Sequence, residues 1–433
     1  MNEFNDRDQA LIHEIKQLPQ KYKLSKEKQE SIMEAIRKEH EARARKKKVK
    51  AIAAWTGSSA LLVGAAALFL SLVLHEPTVN QPGQLQKNAP QHKIEKPSQV
   101  KKESIAELFN KKTSLQAAVI SPIDENWVIG TDHVFHLVNG KWQETTPEGF
   151  AADDKKVMSE KAAFPSKQQA IIAKVISPTE TKIYSTKDDG ATWNTSSLND
   201  TITDVDFSFI DGEHGWMLGK GDSGAGSQGY RIYSTKDGGG SWTKVSSQLS
   251  SGMKFGITFV NGSIGFMGVA SGPDDGTEID ITKDGGKSWD QQTLDYYPNV
   301  NPQLQNAIDK PTFLDASHGI MPVRIDQKMV LYETGDQGES WQPMNEPLDA
   351  KGNVNNVYIL NDKTAWAFTS DEVYHTTDGG KTWKNTALPE SESYIKQVFF
   401  TSEEEGYLIT EKDQKTNVYQ TKDAGATWTN LNS

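Results

Sequence analysis

An eight-residue unit, Thr-x-Asp-x-Gly-x-x-Trp, returns six times along this chain of 433 residues. It reads TKDDGATW to Trp193, TKDGGGSW to Trp242, TKDGGKSW to Trp289, TGDQGESW to Trp341, TTDGGKTW to Trp383 and TKDAGATW to Trp428. Successive tryptophans lie 49, 47, 52, 42 and 45 residues apart. A period of this length with strand-like flanks assigns one four-stranded unit to each repeat, stacked around a ring.

A second pattern precedes each tryptophan by 17 to 26 residues: an apolar strand, a polar turn often ending in Gly, then an aromatic or aliphatic strand. VDFSFIDGEHGWMLG, ITFVNGSIGFMGV, PTFLDASHGIMPV, VYILNDKTAWAFT and QVFFTSEEEGYLIT show it, and AAFPSKQQAIIAKV is a weaker copy. Upstream, AAVISPIDENWVIG and HVFHLVNGKWQET form a seventh, degenerate unit ending at Trp142, 51 residues before Trp193. In the clearest repeat the four strands are expected at residues 205–210, 216–219, 230–234 and 241–245. The fold expected for residues 113–433 is therefore all-β, a seven-bladed β-propeller.

The repeated unit suits the hairpin between the third and fourth strands. A short carboxylate accepts hydrogen bonds from amides that a tight turn leaves without partners, which is the role expected of Asp188, Asp237, Asp284, Asp336, Asp378 and Asp423. Gly190, Gly239, Gly286, Gly338, Gly380 and Gly425 supply a positive φ. Trp193, Trp242, Trp289, Trp341, Trp383 and Trp428 are expected to lie back over the hairpin. Because a catalytic site breaks symmetry, six equivalent copies predict a structural role.

With these motifs the chain resembles the Asp-box, or BNR, repeat proteins, a group that includes sialidases and sortilin-type receptors. The added Gly-aromatic strand motif is more similar to the seven-bladed photosystem II assembly and stability factors. The resemblance implies the propeller and leaves its use open, since this fold hosts many roles. Sialidases of the group clamp a carboxylated sugar with three arginines, and the propeller here holds only Arg231 and Arg324. That shortage excludes sialidase chemistry, and it departs from the arginine-rich patch that the photosystem factors imply.

Other chemistry is sparse. Cysteine is absent, which removes disulfides, thiol nucleophiles and sulfur-ligated metals. Forty-seven basic against 58 acidic residues give a net charge of -11, opposed to general nucleic-acid binding. His133 and His136 fall on opposite faces of a predicted strand, while His214 and His318 occupy matching turns of two repeats. The glycine-rich stretch 219–229 is flanked by strands, so it is expected as a hairpin loop and not as a phosphate loop, which opens a helix. No cofactor or metal is expected. Tyr296 and Tyr297, in a longer insertion between repeats, are the candidate partner contacts.

The N-terminal part has another organisation. Residues 1–50 carry 14 Lys/Arg and 9 Asp/Glu, a +5 tail against -16 for the remainder. Residues 51–74 hold no charge, and as a helix they reach about 36 Å, enough to span a bilayer. Eight Lys/Arg lie in residues 37–50 and none in the ten after the span, so the tail, read as helix from about Lys26 to Lys47, is expected in the cytoplasm and the rest outside. Residues 75–112, with Pro77, Pro82, Pro90 and Pro97, read as a flexible stalk closed by a short helix near 102–110.

These features point to a single-pass membrane protein whose extracytoplasmic propeller binds a protein or glycan partner without catalysis. One alternative is a hydrolase of glycans or the cell wall, which needs paired carboxylates in the funnel. Another is a transmembrane regulator whose tail engages a cytosolic partner.

Overall fold

The structure, a computed structural model, describes residues 102–112, 115, 117–151, 157–224, 227–246, 249, 252–270, 278–295, 297–298 and 305–432. The basic tail, the apolar span 51–74, the stalk to residue 101 and Tyr296 lie outside the described residues. Among the described residues no helix is long and apolar enough to cross a membrane.

Seven antiparallel sheets follow one another along the chain, each with its strands in sequence order. They form blades 1 to 7, at residues 117–144, 159–198, 204–246, 253–293, 305–343, 356–387 and 394–430. In blades 4 and 5 the first strand is broken in two, and both halves pair with the same second strand. The expected seven-bladed, all-β architecture is what the chain adopts.

Residue patterns follow radial position. First strands of neighbouring blades touch around the axis. Second strands such as Trp127–Gly130 and Ala365–Phe368 are buried at every residue, because adjacent blades cover both faces. This explains their continuous apolar runs, which would alternate in a sheet with one wet face. Fourth strands such as Lys384–Ala387 are largely exposed and accordingly polar.

The core divides into seven clusters, each drawing on two adjacent blades. Every repeat tryptophan belongs to the cluster between its own blade and the preceding one: Trp193 meets Trp127 edge-on at 6.1 Å, and Trp428 meets Phe400 at 6.2 Å. The indoles of Trp242, Trp289 and Trp383 also donate to the carbonyls of Gly239, Gly286 and Gly380, at 3.2, 3.1 and 3.1 Å, so these rings do fold over their own hairpins. Trp193 instead donates to the Thr145 carbonyl at 2.7 Å. Trp127, Trp216 and Trp366 work in the other direction, each donating forward to a backbone carbonyl of the next blade.

Each described blade is built from one continuous segment, so no strand crosses the seam between blades 7 and 1. Side chains join it. The Gln397 amide bonds both main-chain groups of Ile120, and Tyr407 Oη donates to Glu125 at 2.7 Å. Helix α1 (Ile105–Lys111) completes the seam. Its capping box pairs Ser104 with Glu107, and it buries Ile105, Leu108 and Phe109 in a cluster shared with Phe399, Val418 and Leu431 of blade 7. The helix expected to close the stalk is thus packed into the ring.

Stretch 219–229 departs from the expected loop. The second and third strands of blade 3 run on as Gly215–Gly224 and Ser227–Thr235, with Gly224 opposite Ser227 and a register shift between Lys220 and Ser223. Glycine and serine signal a turn more strongly than a strand, which hid this extension of the hairpin. Antiparallel strands on both sides also leave no helix N-terminus for a phosphate.

Candidate functional site: the central channel

The repeated hairpins are closed units of hydrogen bonding. In blade 4, Thr282 Oγ1 donates to Asp284 Oδ1 at 2.9 Å and accepts from the Gly286 N–H at 2.9 Å. Asp284 Oδ1 also accepts from the Ser288 N–H at 2.9 Å, and Oδ2 from the Ser288 hydroxyl at 2.6 Å. Asp188, Asp237, Asp336, Asp378 and Asp423 repeat all four bonds with their own Thr, Gly and Ser/Thr. Bonds from Ser288 hold the Asp284 carboxyl down at about 2, and bonds from Thr382 do the same for Asp378. The glycines sit at φ between +80° and +91° (Gly190, Gly286), where a Cβ is strained.

The residue just before each Trp, which the motif left open, thus supplies two of the four bonds. The turn between first and second strands hides a similar device. Asp211 and Asp315 accept from the His214 and His318 N–H at 2.7 and 2.8 Å and from their rings, while Asn261 and Asn361 serve the same turns of blades 4 and 6. His214 and His318 are turn residues in this arrangement.

The other singled-out residues are dispersed. His136 is buried and stacked on Trp127 at 3.9 Å, with burial pushing its pKa down, whereas exposed His133 bonds Glu144 at 2.7 Å. Arg231 and Arg324 donate to the Thr201 and Val354 carbonyls, each at 2.8 Å, in connections at opposite sides of the ring. Tyr297 packs on the cluster between blades 4 and 5 and donates to Glu346 at 2.9 Å.

Charge converges on the axis. A cavity of about 270 Å³ there is walled from blades 1, 2, 3, 5 and 7, with Asp206, Lys310 and Gln397 in its lining. Asp206 Oδ2 accepts from Lys310 Nζ at 2.5 Å and from the Ile257 N–H at 2.9 Å, a link between blades 3 and 5. Burial alone would raise the Asp206 carboxyl, but Lys310 outweighs it and holds the group below the ordinary range. Asp309 beside it is pushed up to about 6 by burial. Near one end, Lys220 pairs Asp204 at 3.2 Å and Lys396 pairs Glu411 at 2.9 Å. Glu160 differs: its Oε1 is buried without a partner, and burial pushes the carboxyl up to about 7 against the pull of Lys174 and Lys396. Among the described residues no group of three His, Asp or Glu is placed to hold a metal ion.

Fold and repeat together define a propeller of the Asp-box type. Residues 329–433, covering the last two blades and part of the fifth, match the Sortilin-Vps10 family model, described as sortilin, neurotensin receptor 3. No curated protein matches the chain. Among solved structures, YCF48 bound to D1 peptide is similar at 16% identity and a TM-score of 0.43, over 62% of this chain and 80% of that one. YCF48 from Cyanidioschyzon merolae gives 14% and 0.46, over 64% and 86%. A GH74 xyloglucanase from Xanthomonas campestris gives 11% and 0.40, over 70% and 58%.

Proposed function

We propose that the chain is a membrane-anchored, extracytoplasmic scaffold that binds a protein or glycan partner through its propeller and catalyses no reaction. The observation that carries this reading is the Asp206–Lys310 pair on the axis. A glycan hydrolase sets a free carboxylate beside its raised acid, whereas Asp206, beside the raised Asp309, is held ionised and bonded by Lys310. The hairpin carboxylates are committed to their own turns in the same way. What the ring then offers is a rigid rim of loops and strand ends, the usual resource of a binding propeller. The uncharged span 51–74 and its basic flank support the anchor and its orientation.

Crosslinking intact cells and purifying the anchored full chain tests the reading. Recovery of a defined partner, in amounts near that of the chain, is expected. Hydrolysis of a glycan or cell-wall preparation by the purified chain, abolished in Asp309→Asn, would instead establish the enzyme.

A further inference from the structure

Within every blade the strands alternate in direction, so all first strands begin at one face of the ring, the face that also carries the second-to-third turns. Four large apolar side chains stand exposed among the described residues, and three of them are at that face beside the channel. Met158 (50% exposed) immediately precedes the first strand of blade 2, Met253 (58%) opens that of blade 4, and Tyr394 (69%) opens that of blade 7. Because first strands line the axis, these residues rim one mouth. Lys396 acts electrostatically on Glu160, which places the starts of blades 7 and 2 near one another across it. Three of the four exposed large apolar side chains among the described residues thus stand at one mouth, a concentration of apolar surface on that face.

Carboxylates lead among the described unpaired charges of this mouth. Four of its lysines are spent internally: Lys220 on Asp204, Lys328 on Asp349, Lys351 on Glu372 and Lys396 on Glu411. The exposed aspartates of the second-to-third turns, Asp132, Asp326 and Asp413, have no ion-pair partner among the described residues; Lys412 and Lys415 flank Asp413, and Lys412 donates to the Ser391 carbonyl at 2.9 Å. Glu160 adds a carboxylate oxygen without a donor. Its charged neighbours are Lys174, Lys396 and Asp132, and Lys174 already donates to the Thr131 and Phe150 carbonyls at 2.5 and 2.8 Å.

We propose that this mouth docks a basic, apolar-rich segment of another protein, seated on Met158, Met253 and Tyr394 with a lysine or arginine directed to Glu160. The inference rests on the scaffold reading and deepens it by naming the face and the chemistry of the partner. A cation supplies the donor that Glu160 lacks and meets the unpaired aspartates, while apolar side chains cover the rim. Binding then strengthens from pH 6 to pH 8 as Glu160 ionises.

The test uses the full chain in nanodiscs of neutral phosphatidylcholine and labelled, end-capped peptides of alternating Leu and Lys, of Leu and Glu, and of Ser and Lys. The Leu/Lys peptide is expected to bind at least about tenfold tighter than the other two. M253S combined with Y394S should weaken it about fivefold or more with an unchanged melting temperature. E160Q should remove the gain between pH 6 and pH 8. Equal binding of the Leu/Glu peptide, or full binding by the rim variant, overturns the proposal. Tighter binding of a peptide of residues 37–50 would make the chain's own tail the occupant and overturn it also. Crosslinking separates the two levels: a rim variant that still recovers the wild-type partner refutes the mouth alone, whereas no partner for either chain refutes the scaffold.

Discussion

Gln397 holds Ile120 by both main-chain groups, accepting from its N–H and donating to its carbonyl, each at 2.8 Å. The two residues are 277 positions apart and form, with α1, the closure of the ring. A glutamine amide offers a donor and an acceptor side by side, as a neighbouring strand would, so one side chain substitutes for a missing strand pair.

Gln397→Ala is therefore expected to destabilise the propeller by about 1–3 kcal/mol, from two lost bonds and two stranded backbone groups. Phe109→Ala, which empties the helix side of the same seam, should cost about 3–5 kcal/mol. Denaturant unfolding measures both. Hydrogen exchange should show the Q397A opening concentrated at blades 1 and 7, and an even loss over all blades would contradict seam closure.

Acid should unfold the ring through its hairpins. The Asp284 and Asp378 carboxyls are held at about 2, below their ordinary 3.8, so their stabilisation is complete above pH 4 and is lost as pH falls toward 2. Replacing both by Asn should lower stability at pH 7 and flatten the profile between pH 4 and pH 2. These groups are exposed, so solvent screening keeps each contribution small, about 1 kcal/mol or less for Asp284. A profile unchanged by the double variant would remove the carboxylates from this role.

Glu160 has the opposite sign. Its folded-state value of about 7 lies above the ordinary 4.5, so the unfolded chain ionises first and stability declines as pH rises from about 4.5 to 7. Glu160→Gln should make the unliganded protein more stable at pH 8, on the order of 2 kcal/mol, with little change at pH 4. Melting temperatures across this range decide it: a variant less stable at pH 8 would show that the carboxylate is satisfied in the native ring.

In blade 4 the Lys254–Asp280 pair, 2.8 Å apart, is fully buried. Lys254→Met leaves Asp280 without its cation, and a loss of about 3–5 kcal/mol is expected. K254M/D280L removes both charges and should regain most of it, which a double-mutant cycle reports. Equal losses in single and double variants would mean that packing, not charge, holds the site.

Legibility in the sequence tracked the range of the chemistry. Thr282, Asp284, Gly286 and Trp289 act within one hairpin, so their spacing survives in six repeats, and Trp142 keeps the period for the seventh blade. The Gln397–Ile120 link leaves no such trace, because residues so far apart in the chain share no pattern. Helix α1 was visible from Ile105, Leu108 and Phe109, but what those residues cover was not. The strands through Gly219–Gly224 were hidden because glycine and serine signal turns more strongly than pairing. Tyr297, an aromatic in an insertion, packs on the cluster between blades 4 and 5, a contact that no local spacing encodes. The rim residues Met158, Met253 and Tyr394 carry no sequence pattern, since only the ring geometry puts their exposed side chains at one face.

A ring whose blades are each one uninterrupted stretch, locked by side chains at the seam, is modular at the level of the gene. Duplicating or deleting one stretch of about 45 residues, the repeat period read above, adds or removes a whole blade without rethreading any strand. Only the residues at the seam must then be matched anew. Relatives with other blade numbers are thus a short evolutionary step away, and their seams are where compensating substitutions should gather.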